Sequence, residues 1–229
     1  MRFDPAGLPF IGGALLLAVV SGAAFGLVFA IPFIALGGLF AFFFRDPDRK
    51  SPRDDQVVLS PADGRVLVAG PAVADAAPPG SWLQISIFLS PMDVHVNRIP
   101  ASGRVTRVSY TPGRFAPAYR DDAAAVNERC EIWIDHGGQP IVARQVVGIL
   151  ARRVVCRAQV GADVRAGDRF GIMKFGSRMD VFVPPTATID VEVGQMVRRG
   201  NRHRGATLIR SLSAISWRHQ LCWTTTKGG

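Results

Sequence analysis

Trp82-Leu83-Gln84-Ile85-Ser86-Ile87-Phe88-Leu89 places Leu83, Ile85, Ile87 and Leu89 on one side of an extended chain and polar or aromatic side chains on the other. Side chains alternate across a strand, so this period of two predicts a half-buried β-strand. Similar short runs at 64–69, 94–99, 104–110, 129–134, 141–149, 153–160, 179–183 and 188–193 are separated by Gly, Pro and Asp, and helical periodicity is nearly absent there. Many short strands at this spacing predict a mostly β fold, a β-sandwich or partly closed barrel. The stretches 71–80 and 111–127 read as loops, the second long enough to be a flap over a site.

A weak repeat lies in the C-terminal half. Gly161-x-x-Val164-x-x-Gly167 recurs as Gly194-x-x-Val197-x-x-Gly200, which predicts two related hairpins with glycine at the turns and a valine plugged into the core. Lipoyl- and biotinyl-type carrier domains use such turns. A carrier would present a lysine; Lys174 lies in the right half, but a Gly-Ser step follows it that a carrier does not need.

From Leu8 to Phe44 no side chain is charged, a run too long for a single bilayer crossing at 1.5 Å per residue. Gly22, Gly26, Pro32 and Gly37-Gly38 are candidate breaks, so two short helices at about 8–29 and 32–44 are expected, as a hairpin or as one span plus an interfacial segment, the second too short to span comfortably. A cleavable signal would have a shorter apolar core after a basic start, whereas only Arg2 precedes this run and Arg45, Arg49, Lys50 and Arg53 follow it. The expected organisation is a membrane anchor at 1–44, a β-rich domain at 45–200 on the cytoplasmic face of the cell membrane, and a basic tail at 201–229.

The net charge of +9 is concentrated near the C-terminus. Beyond Glu192 there is no acid, yet Arg198, Arg199, Arg202, Arg204, Arg210, Arg218 and Lys227 follow. With an anchor present, anionic lipid is the expected partner, and without a reading motif nucleic acid is not. Cys130, Cys156 and Cys222 lack CxxC spacing and read as structural, reduced thiols. His95, His136, His203 and His219 lack metal-ligand spacing, so no metal is expected.

Chemistry can start in Lys174-Phe175-Gly176-Ser177-Arg178. A serine hydroxyl held over the preceding glycine carbonyl can replace the amide by an ester through an N-to-O acyl shift. Elimination of the carboxylate then leaves dehydroalanine, which hydrolyses to a pyruvoyl group and ammonia. Alone, Gly-Ser reads more plainly as a polar turn. Asp63, in Ser60-Pro61-Ala62-Asp63-Gly64-Arg65-Val66, reads first as a turn aspartate. Asp93, His95 and Asn97 would share one face of a strand, with His95 either bonded structurally to Asp93 or functional.

Together these segments make the chain similar to the phosphatidylserine decarboxylases, in their short, membrane-anchored, pyruvoyl-dependent form. The resemblance rests on FFRDPDR at 43–49, SPADGRV at 60–66, FLSPMDVHVNRIPASGRV at 88–105, NER at 127–129, QVVGILARRVV at 145–155 and GDRFGIMKFGSRMDVFVP at 167–184, in that order. It implies a proenzyme cut between Gly176 and Ser177 into a large chain 1–176 and a small chain 177–229 that begins with a pyruvoyl cofactor made from Ser177. It also implies that Ser177, His95 and Asp63 act in processing, His95 as base with Asp63 orienting it, and that phosphatidylserine in an anionic membrane becomes phosphatidylethanolamine. A higher oligomer is compatible with it. Arg98, or the basic pair at 152–153, is a head-group candidate from charge alone. Longer members carry a second histidine where Arg98 stands, and after Gly200 the family's closing strand either moves here to about 206–210 or is lost. The alternatives are a membrane-anchored Ser/His/Asp hydrolase, which would lack its Gly-x-Ser-x-Gly elbow, and a non-catalytic β-barrel carrier or scaffold.

Overall fold

The computed structural model describes residues 2–47, 57–73, 77–120, 122–149, 154–173, 177–198 and 207–211. After a short strand β1 (Arg2–Phe3) come two apolar helices, α1 (Leu8–Phe25) and α2 (Leu27–Phe43). Positions 22 and 30, and 14 and 37, lie side by side, so the two run antiparallel as a hairpin. The break falls at Gly26 rather than near residue 31 as the sequence suggested. Gly26 adopts a φ of +103°, open to glycine and strained for other residues, whereas Pro32 is carried inside α2. A proline removes only one helical hydrogen bond, and Ser21 Oγ bonds across to Phe29 O near the turn. The 21 residues from Pro5 to Phe25 are long and apolar enough to cross a membrane; α2 is shorter.

Among the described residues the elements that follow are mainly strands: β2 (Arg45–Asp46), β3 (Val58–Leu59), β4 (Gly64–Pro71), β5 (Leu83–Leu89), β6 (Val96–Arg98) and β7 (Gly103–Thr111), then the one-turn helix α3 (Ala123–Val126). β8 (Arg129–His136), β9 (Gln139–Val147), β10 (Val154–Cys156), β11 (Asp163–Val164), β12 (Arg169–Met173), β13 (Ser177–Val183), β14 (Thr188–Ile189), β15 (Met196–Val197) and β16 (Thr207–Ser211) follow. Eight form one antiparallel sheet in the order β11-β7-β8-β9-β13-β5-β4-β15, whose two edges do not meet. Two three-stranded sheets, β10-β12-β6 and β14-β16-β3, cover one of its faces. The fold is therefore mostly β, a layered and incompletely closed arrangement, as the period of two predicted. Over β14-β16-β3 the core holds Val58, Leu208 and Ile209 against Ile85, Ile87, Val181 and Val183; over β10-β12-β6 it holds Phe170 and Met173 against Leu89, Ile132 and Met179. Each such side chain contributes about 1.5–3 kcal/mol when fully buried.

The closing strand expected at about 206–210 is present as β16, paired to β3 and β14. The glycine repeat is real and wider than the sequence reading had it. Val164 pairs with Gly103 and Val197 with Gly64, and each of these glycines opens a Gly-Arg-Val strand in a Pro-Ala-x-Gly-Arg-Val segment. The hydrogen bonds repeat as well: Gly161 N to Val105 O matches Gly194 N to Val66 O, and Val105 N to Ala162 O matches Val66 N to Gln195 O. Gly200 lies outside the described residues.

Candidate active site

Ser177 opens β13, standing between Leu89 of β5 and Val147 of β9. Its side chain is fully buried, and Oγ has no hydrogen-bond partner among the described residues. A buried hydroxyl without a partner costs roughly 1–3 kcal/mol, which a fold retains where the group has other use. β12 of the small sheet ends at Met173 and β13 of the large one begins at Ser177. Lys174 and Gly176 themselves lie outside the described residues.

His95 sits at the same junction. It immediately precedes β6, and its carbonyl accepts from Met173 N at 3.3 Å, just where β12 ends. The ring is fully buried, and Nδ1 lies 2.9 Å from the Asp93 carbonyl oxygen. A carbonyl only accepts, so Nδ1 carries the proton and Nε2 is the basic nitrogen. The partner of Nδ1 is thus a main-chain carbonyl, while the Asp93 carboxylate accepts from Ser90 N. Burial lowers the His95 pKa to about 4, with Arg45 nearby adding to the fall and the Asp93 bond opposing it. At neutral pH the imidazole is uncharged.

Asp63 is buried in the turn from β3 into β4. Gly64 follows it, and a side chain on Gly64 would fall on the Phe88 carbonyl, so only glycine lets β4 run this close to β5. By register Gly64 lies level with Leu89 and Leu89 opposite Ser177, which separates Gly64 from Ser177 by two strand spacings, about 10 Å. The neighbouring Pro61 carbonyl accepts from Arg98 N, tying this turn to β6.

Four supports of the site carry no local sequence signal. Asn97 and Gln145 are fully buried and joined at 2.8 Å across the two sheets. Asn127, in the NER segment, donates to the Val147 and Ala116 carbonyls and accepts from Ala116 N, pinning the 112–128 loop beside the strand end opposite Ser177. Tyr119, in the same segment, packs edge-on to Phe88. Asp46, at the foot of α2, receives Arg98 at 2.7 Å and Arg169. Asp4 takes both terminal nitrogens of Arg157, at 2.8 and 2.9 Å. Arg98 also bonds the Gly167 carbonyl, so its guanidinium ties the hairpin to the β-structure. The pair at 152–153, and His203, His219 and Cys222, lie outside the described residues. Among the described residues no group of three or more His, Cys, Asp or Glu side chains could hold a metal ion.

These features define an apolar-hairpin β-protein built around a buried serine and a neutral, buried histidine. The family model for phosphatidylserine decarboxylase matches residues 36–204. The chain is 44% identical over 192 residues to the phosphatidylserine decarboxylase proenzyme of Pelodictyon phaeoclathratiforme, covering 81% of this chain and 90% of the relative. It is 41% identical over 192 residues to the proenzyme of that name from Ralstonia nicotianae (83% and 89% covered), and 41% over 196 residues to that from Anaplasma phagocytophilum (85% and 86%). The chain belongs to the phosphatidylserine decarboxylase family, a family of carboxy-lyases.

Proposed function

We propose that this chain decarboxylates phosphatidylserine to phosphatidylethanolamine with a pyruvoyl group made from its own Ser177, after cutting itself between Gly176 and Ser177. The supporting observation is the Ser177 hydroxyl, buried and without a partner at the first position of β13. A serine kept only for packing would be bonded or replaced by alanine. His95 Nε2 takes the Ser177 proton, and Oγ attacks the Gly176 carbonyl carbon while the peptide nitrogen leaves as the amine. Elimination removes the Gly176 carboxylate from the Ser177 β-carbon, and hydrolysis of the resulting dehydroalanine releases ammonia. Asp63 stabilises the imidazolium by its charge, since Nδ1 is already held by Asp93.

A pyruvoyl group fits the site: its place would be the start of β13, enclosed by Leu89 and Val147. Such a group supplies an electron sink for the loss of carbon dioxide. His95, neutral as resting imidazole, exchanges protons with the substrate in that phase. Residues 1–44 anchor the protein, 45–200 carry the chemistry at the cytoplasmic face of the membrane, and the basic residues of 201–229 attract anionic lipid.

Intact-mass measurement on the full chain from membranes tests this. Two fragments split before residue 177 are expected, the small one blocked to Edman degradation and reactive toward hydroxylamine, and Ser177→Ala should stay whole. An uncut chain of 229 residues overturns the reading. Uncut protein labelled at serine by a fluorophosphonate would point to the hydrolase instead.

A further inference from the structure

Cys130 lies on β8 of the large sheet and Cys156 on β10 of a small one. Strand register brings them together. Cys130 stands opposite Gln145, and Cys156 opposite Gly171. Gln145 reaches across the layer to Gly171, its Nε2 only 2.6 Å from where a Cβ on that glycine would sit. Cys130 shares a strand face with Ile132 and Ile134, and Cys156 packs on the cluster those two belong to. The neighbouring Cys130 side chain, with the Ala158 backbone, lowers the Cys156 pKa, while the Cys156 side chain and burial make losing its proton harder for Cys130. Cys156 is half-buried and Cys130 is 3% exposed, so a reagent reaches the pair through Cys156. Neither is in a disulfide here.

We propose that Cys130 and Cys156 form an oxidisable dithiol, a modification site at which a low-molecular-weight disulfide such as glutathione disulfide is reduced and the two sheets become covalently joined. The Cys156 thiolate attacks one sulphur of the reagent, expels one glutathione thiolate and holds the other half as a mixed disulfide. Cys130 then loses its proton and attacks Cys156 Sγ, expelling the second glutathione. Two protein thiols are oxidised, one disulfide is reduced to two thiols, and no other electron acceptor is needed. The crosslink ties β10, and through β12 the strand that begins just after His95, to the sheet whose β13 begins with Ser177.

Cys222 lies outside the described residues, so the test uses the full chain carrying Cys222→Ser, which leaves Cys130 and Cys156 as its thiols. The folded, detergent-solubilised protein is treated with glutathione disulfide, blocked with N-ethylmaleimide and digested without reductant. A linked pair of peptides containing Cys130 and Cys156 is expected, separable by dithiothreitol, with N-ethylmaleimide uptake lost at both. Adding Cys130→Ala should leave glutathione fixed on Cys156. The proposal is overturned if both thiols still take N-ethylmaleimide after oxidation, or if glutathione persists on Cys156 while Cys130 is present. Both overturning results come from the chain that retains the pair, so they do not depend on the folding of the alanine variant.

Discussion

The Phe43 and His95 rings face each other with centroids 4.2 Å apart and planes inclined at 33°. Phe43 is the last residue of α2, so the end of the apolar hairpin forms a wall of the candidate site. Its ring is one of the groups that keep water from the imidazole. Phe43→Ala should cost about 3 kcal/mol in packing and admit solvent to His95. The His95 titration, followed by NMR on the imidazole protons in detergent micelles, should move up from about 4 toward 6.5. A His95 that titrates unchanged in this variant would show that Phe43 does not set its environment.

The same burial gives stability a pH dependence with a definite sign. His95 has a pKa of about 4 in the fold against 6.5 for a solvent-exposed imidazole, so between these values the unfolded chain binds more protons. The contribution is fully present above pH 6.5 and is lost as pH falls toward 4, by at most about 3 kcal/mol. Melting temperature should fall through that window in the native protein and fall less in His95→Gln. Parallel curves for the two proteins would remove His95 as the cause.

What could be read from the chain was whatever the local pattern carries. The alternation at 82–89 revealed β5, and the uncharged run to Phe44 revealed the hairpin, because both are periodic properties of neighbouring residues. The helix break was misplaced toward Pro32 because proline is the stronger breaker by propensity, while the turn needed the positive φ that Gly26 supplies. Strands were read as longer at 153–160 and 188–193 than Val154–Cys156 and Thr188–Ile189. Asp46 looked like one charge among several, since nothing nearby announces that Arg98 and Arg169 converge on it. The Nδ1 partner of His95 was illegible for another reason. It is a main-chain carbonyl, which every residue has. Cys130 and Cys156 were set aside for lack of CxxC spacing, yet register across two sheets achieves what spacing in the chain does not.

Asp46 offers a direct measure of how the hairpin is held to the β-structure. Its side chain is 1% exposed and is shared by Arg98 and Arg169, themselves 13% and 33% exposed. Asp46→Asn keeps the shape but leaves two cations without their countercharge, and should cost about 3 kcal/mol, the low end for a broken buried pair because Arg169 can turn to water. Denaturation of the detergent-solubilised protein measures it. A loss under about 0.5 kcal/mol, the size of an ordinary surface substitution, would mean the carboxylate does not clamp the hairpin.

Gly64 and Gly103 occupy equivalent places in the internal repeat, which allows a controlled test of the Asp63 turn. A side chain on Gly64 would meet the Phe88 carbonyl oxygen, and one on Gly103 the Asp135 carbonyl oxygen. Alanine at either position must push two strands apart, so comparable losses of stability, on the order of 2 kcal/mol, are expected. Their effect on processing should differ. Gly64 is level with the strand end where Ser177 lies, whereas Gly103 is level with His136 and Gln139 at the far end of the sheet. Gly64→Ala should therefore displace Asp63 and leave uncut chain to accumulate at least tenfold over native protein, while Gly103→Ala is cut at close to the native rate. Pulse-chase gels of the two variants, with their melting temperatures taken alongside, give the comparison. Equal slowing in both would assign the effect to general destabilisation and withdraw Asp63 from the site.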